Sequence, residues 1–88
     1  MTTRSPDTAI RLTLFGRRYC HLCDEMLQAL GTLRAHYPFD VDLVDVDADA
    51  ELETRFGELV PVLAHGETII CHYHLDVARC TAYLESFR

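Results

Sequence analysis

Cys20 and Cys23 stand two residues apart in the run Cys20-His21-Leu22-Cys23. A cysteine pair at that spacing has two chemistries open to it, thiol–disulfide exchange and metal ligation. If the run is helical, Cys23 lies one turn behind Cys20, near enough to close a disulfide. An alternating segment ends at Gly16, and a helical period starts at His21, so the pair falls at a helix start. The free N–H groups and positive dipole end found there favour a thiolate on the first cysteine. Arg17 and Arg18 add positive charge, and His21 adds some when protonated. Cys20 is therefore expected to attack a substrate disulfide and Cys23 to resolve the mixed disulfide by displacing the bound partner. The plain alternative is a pair of ordinary buried cysteines. A position at the helix start, off its apolar stripe, argues against that.

The other cysteines frame a rival function. Cys71, His72 and His74 stand at the end of the last strand, and with Cys20 and Cys23 they make a zinc set if the two loops converge. Cys-His-x-His is not a recognised zinc spacing, so redox work is the stronger expectation. Cys80 sits on the apolar stripe of the last helix and reads as core. The acidic run Asp40, Asp42, Asp45, Asp47, Asp49, Glu51 and Glu53 matches no calcium loop. It reads instead as a solvated edge strand, guarded by its charge against pairing with other chains.

With 88 residues, half of them apolar (49%), the chain has the size of one small domain. Four cysteines in so short a chain suit a disulfide framework only with export, yet Met1 to Ala9 (MTTRSPDTA) has no apolar signal core. That segment is expected to be a flexible tail, residues 10–88 a single domain, and the location cytoplasmic. A net charge of −6 gives no footprint for nucleic acid or an anionic membrane. No apolar run approaches the roughly 20 residues that span a bilayer. A monomer is expected.

The elements that must position the dithiol can be read from period and punctuation. Ile10 to Phe15 reads as a strand stopped by Gly16. His21 to about Tyr37 reads as a helix with Leu22, Met26, Leu30 and Leu33 on one stripe, Leu27 widening it and Pro38 ending it. Phe39 to Val46 is a second strand, parallel to the first across a helical crossover. Asp47 and Asp49 offer caps for a short helix carrying Leu52 and Phe56 and closed by Gly57. Val60–Ala64 and Thr68–Cys71, linked by His65-Gly66-Glu67, read as an antiparallel hairpin. A last helix from about Leu75 to Phe87 carries Val77, Cys80, Leu84 and Phe87. The order β-α-β-α-β-β-α predicts an α/β fold with a four-stranded mixed sheet and helices on both faces.

Phe15-Gly16-Arg17 leading to the Cys-x-x-Cys pair, with Val60-Pro61 ahead of a strand, resembles the glutaredoxins of the thioredoxin-fold superfamily. The similarity runs from about Ile10 to Phe87 and is greatest to short bacterial proteins whose dithiol reads Cys-x-Leu-Cys. It implies a thioredoxin-like fold and thiol–disulfide oxidoreductase activity on a protein or small-thiol disulfide. Glutathione or a protein reductase would be the reductant, and no cofactor would be tightly bound. It also implies that Pro61 is a cis-proline beside the dithiol, turning the Val60 backbone toward a bound chain. Arg17 would receive a glutathione carboxylate, and Asp76 would keep the acidic role and cap the last helix. Two departures stand out. His21-Leu22 replaces the usual Pro-Tyr between the cysteines, and Cys71-His72-Tyr73 stands where the family has Gly-Gly. Weak glutathione binding is the expected consequence.

Overall fold

A computed structural model describes residues 10–87; the expected tail, 1–9, lies outside them. Strands β1 (Ile10–Gly16), β2 (Phe39–Asp45), β3 (Val62–His65) and β4 (Thr68–His72) form one sheet in the order β2-β1-β3-β4. Helices α1 (His21–Leu33), α2 (Ala50–Phe56) and α3 (Val77–Glu85) complete it, with a 3-10 turn, Val46–Ala48, ahead of α2. β1 runs parallel to β2 from Ile10↔Phe39 to Gly16↔Asp45, as a helical crossover requires. β3 is antiparallel to both β1 and β4. This is the mixed α/β sheet expected.

The period-2 alternation of the strands sorts the core onto the two faces. Leu12, Leu14, Leu63 and Ile70 pack with Met26, Leu30 and Leu33 of α1 and with Cys80 and Leu84 of α3. The intervening residues Phe15 and Val62 pack on the other face with Val46 and with Phe56 of α2. The Phe15 and Phe56 rings stack there at 4.5 Å. α1 and α3 therefore cover one face and α2 the other.

Several boundaries move. α1 stops at Leu33, and residues 34–37 form turns closed by bonds such as His36 N–H to the Leu33 carbonyl (2.9 Å). Arg34 then donates from Nε to the Phe39 carbonyl (3.0 Å), tying the helix end to the start of β2. β3 begins at Val62 rather than Val60, because Pro61 has no N–H to give a ladder. The hairpin link shortens to Gly66-Glu67, with Gly66 at φ 60, the first central position, where a type II′ turn takes glycine. β2 is an edge strand, as its charges implied. Asp42 pairs with Arg11 at 2.7 Å, and Asp40 lies 3.5 Å from Arg34. On α3, Cys80 and Leu84 are buried but Val77 is exposed, and Phe87, expected on the helix, lies beyond its end at Glu85 and is exposed.

Candidate functional site

The dithiol stands where β1 hands over to α1. Cys20 is the N-cap of α1, with extended backbone (φ −104, ψ 105), and its Sγ accepts the Cys23 N–H at 3.1 Å. A sulfur in the N-cap place thus takes one of the donors that every helix start leaves free. Cys20 and Cys23 are joined as a disulfide, with Cα atoms 5.1 Å apart. Their environments differ. Cys20 is half-buried, whereas Cys23 is buried and stands first in the stripe Cys23, Met26, Leu30, Leu33. The expected stripe through Leu22 and Leu27 is thereby corrected, since Leu22 is half-buried and Leu27 exposed. So is the expectation that the pair lies off the stripe, which holds for Cys20 alone.

Gly16 gives Cys23 its room. A Cβ there would lie 3.0 Å from Cys23 Sγ and 3.5 Å from Cys23 Cβ. Below the thiol lies a cleft of about 240 Å³, lined by Leu14, Leu27, Leu43 and Val44 and rimmed by Arg18. The Val60–Pro61 bond is cis, and Pro61 is buried. One further step of the register Phe15↔Val62 sets Pro61 opposite Gly16, at the dithiol end of the sheet. Val60, half-buried, enters no turn, loop or cap backbone bond among the described residues.

Arg17, His21 and Asp76, singled out by sequence, have partners within the chain, whereas Arg18 is exposed. Arg17 Nη2 donates to the Gly57 carbonyl (3.1 Å) and to Glu53 (3.3 Å) and lies 3.6 Å from Asp47, while its buried Nε has no partner. His21 turns along the helix to Glu25, with Nε2 2.9 Å from Oε2. Asp76 is the N-cap of α3 and accepts the Arg79 N–H at 2.9 Å, as expected.

Cys71 and Cys80 are free thiols. Burial pushes the Cys71 thiol up, against the lowering effect of the Asp76 backbone N–H. Burial also pushes Cys80 up to about 11, with the neighbouring Cys71 adding to it. No three His, Cys, Asp or Glu side chains converge to hold a metal among the described residues, so Cys71 and His72 at the end of β4, with His74 after it, do not close a zinc set on the dithiol. Among those residues no helix is long and apolar enough to cross a membrane.

Tyr19 escaped the sequence reading, and Tyr73 entered it only as part of the run that replaces Gly-Gly. Tyr19 and Tyr73 are the non-glycine residues of positive φ among those described, at 57 and 68. Such a backbone costs an L-residue about 1 kcal/mol or more, and nothing in a tyrosine's neighbourhood in sequence announces it. Tyr73 donates its N–H to the Pro61 carbonyl and its hydroxyl to the Glu58 carbonyl, each at 2.9 Å. Tyr19, immediately before Cys20, is fully exposed.

The solved structures most informative here come from bacteria. Protein Ne2328 from Nitrosomonas europaea is 31% identical with a TM-score of 0.80, over 96% of this chain and 99% of that one. Protein XcR50 from X. campestris is 39% identical with a TM-score of 0.66, over 85% and 96%. A malarial protein at 17% identity and a TM-score of 0.59 shares the fold. No curated protein matches. The glutaredoxin-like domain (DUF836) matches residues 11–85, nearly the whole of the described fold with the dithiol inside it. On that match, the thioredoxin-like sheet and the Cys20–Cys23 pair together, the chain belongs to the glutaredoxin-like family.

Proposed function

We propose that the protein is a thiol–disulfide oxidoreductase of the cytoplasm, with Cys20 as nucleophile and Cys23 as resolving thiol. The observation that carries this is the asymmetry of the pair: a half-exposed sulfur at a helix N-cap, joined to a buried one in the first turn. In the reduced protein, the Cys23 N–H and the helix start favour a Cys20 thiolate. That thiolate attacks one sulfur of a substrate disulfide, and the other substrate sulfur departs as a thiolate and takes a proton. Cys23, losing its proton, then attacks Cys20 Sγ and expels the second substrate thiol. The substrate gains two electrons, and the protein is left with the Cys20–Cys23 disulfide, which two thiols of a reductant reopen. The Val60 backbone, turned by the cis bond and free of turn, loop and cap partners, offers strand-like hydrogen bonds to a bound chain.

Glutathione is at most a weakly held reductant. Arg17 is engaged by Glu53, Asp47 and the Gly57 carbonyl, and Asp76 by its own helix, so neither is free for the tripeptide's charged ends. The side chains of Cys71, His72 and Tyr73 stand where glycines would let its backbone approach.

The test is trapping. In the reduced protein, alkylation near neutral pH labels Cys20 before Cys23, and Cys23→Ser accumulates mixed disulfides on Cys20 that Cys20→Ser does not form. Equal labelling, or mixed disulfides carried by Cys23, would overturn the assignment.

A further inference from the structure

Tyr19 combines an unfavourable backbone, full exposure and direct attachment to the proposed nucleophile. Its φ of 57 is one that glycine adopts freely and tyrosine does not. Its relative exposure of 101% means that the ring packs against nothing in its own chain. The residue therefore works against the fold without a compensating contact, a pattern that belongs to sites of recognition. Consecutive Cα atoms are only about 3.8 Å apart, so the exposed ring is carried one residue from the half-buried Cys20.

The surroundings say what kind of molecule such a ring would recognise. Across the dithiol, Tyr73 is anchored through Pro61 and Glu58, and its ring is 42% exposed. Leu59 is 37% exposed on the same loop as Val60. The rim of the dithiol thus presents apolar surface on a chain of net charge −6, with Arg17, His21 and Asp76 already partnered and Arg18 the exposed charge beside Tyr19. A small polar disulfide gains little from such a rim. An extended polypeptide with an apolar side chain next to its cysteine gains ring contact at Tyr19 while its backbone lies along Val60.

We infer that Tyr19 is a specificity-determining residue, selecting polypeptide disulfides whose cysteine is flanked by apolar side chains. The inference rests on the exchange proposed above. The full chain is assayed as wild type, Tyr19→Gly and Tyr19→Phe. The substrates are two short peptides differing only in Leu or Ser beside a cysteine, each disulfide-linked to a chromogenic thiol, and bis(2-hydroxyethyl) disulfide. Tyr19→Gly should lower kcat/KM for the Leu peptide about five- to tenfold, through KM. That is the effect of burying roughly 50 Å² of ring surface. The Ser peptide and the small disulfide should change by less than about twofold, and Tyr19→Phe should keep the preference. Unchanged selectivity would overturn the inference. So would an equal loss on all three substrates, which would make Tyr19 a positioning residue for Cys20. If the wild type reduces none of them, the exchange reading itself fails, and this inference falls with it.

Discussion

Replacing Gly16 by alanine places a methyl group against Cys23 Sγ, the buried sulfur of the dithiol. The new Cβ lies 3.0 Å from Cys23 Sγ and 3.5 Å from its Cβ. Ordinary contacts between such atoms are about 3.5–4.0 Å, so the sulfur must retreat by several tenths of an ångström. In the oxidised protein it is held by the bond to Cys20, whereas the free thiol can turn about χ1. The cost of overpacking, typically about 1–3 kcal/mol, therefore falls mainly on the disulfide. For a two-electron couple about 30 mV corresponds to 1.4 kcal/mol, so the midpoint potential should rise by roughly 20–60 mV and the variant become the stronger oxidant. Equilibration in graded thiol–disulfide buffers, with the oxidised fraction read by alkylation and mass, measures the shift directly. Thermal melts of both redox forms give the control, the reduced variant melting close to wild type. An unchanged potential, or an equal loss of stability in both forms, would refute the reasoning, the second by showing that β1 moves instead.

Two further expectations follow from the thiols and from the charged groups. Folded Cys80 holds its proton to about pH 11, against an ordinary value of 9.0, so above pH 9 the unfolded chain loses a proton that the native one keeps. Stability should then be at its full value below pH 9 and fall by roughly 2–3 kcal/mol on the way to pH 11. Denaturant unfolding of wild type and Cys80→Ala across that range tests it, since the excess slope of the wild type should vanish in the variant. For the reductant, a glutathione-coupled disulfide reductase assay should give much slower turnover than one driven by a thioredoxin reductase. Comparable turnover with glutathione would show that the engaged Arg17 and the loop Cys71-His72-Tyr73 do not hinder the tripeptide.

Much of the fold was legible because period and punctuation agreed. Alternation marked β1 and β2, Asp49 and Asp76 capped the helices assigned to them, and Gly66 marked the hairpin. The errors are of one physical kind. A helical stripe read from sequence assumes that the sheet beneath is as long as the helix and centred under it. Leu27 lines the cleft beside Cys23, Val77 is the first residue of α3, and Phe87 lies past its last residue, Glu85; Val77 and Phe87 are both exposed. Phe87 instead leans on the rings of His65 and Tyr83 at 5.4 and 5.1 Å. At the site, the dithiol and the cis-proline followed from the motif and the resemblance. The engagement of Arg17 by Asp47, Glu53 and Gly57 did not, because it depends on α2 folding over the far face of the sheet, 30 or more residues along the chain.

The direction proposed for the exchange follows from where the helix begins. Cys20 is the last residue outside α1, so its side chain caps the helix and stays half-open to solvent. Cys23, one turn in, is already on the buried stripe of α1 with Met26, Leu30 and Leu33, so it is drawn away from solvent. Starting α1 one residue later would make His21 the N-cap and deprive Cys20 Sγ of the Cys23 N–H, removing the cap that favours a Cys20 thiolate. Tyr19 is placed by the same junction: the left-handed turn that ends the approach from β1 lets Cys20 cap α1 and leaves the preceding ring outside. Nucleophile, resolving thiol and exposed ring are thus three consequences of one strand-to-helix handover. A change to its register should disturb all three together, whereas a change to the Tyr19 side chain should disturb only what is recognised.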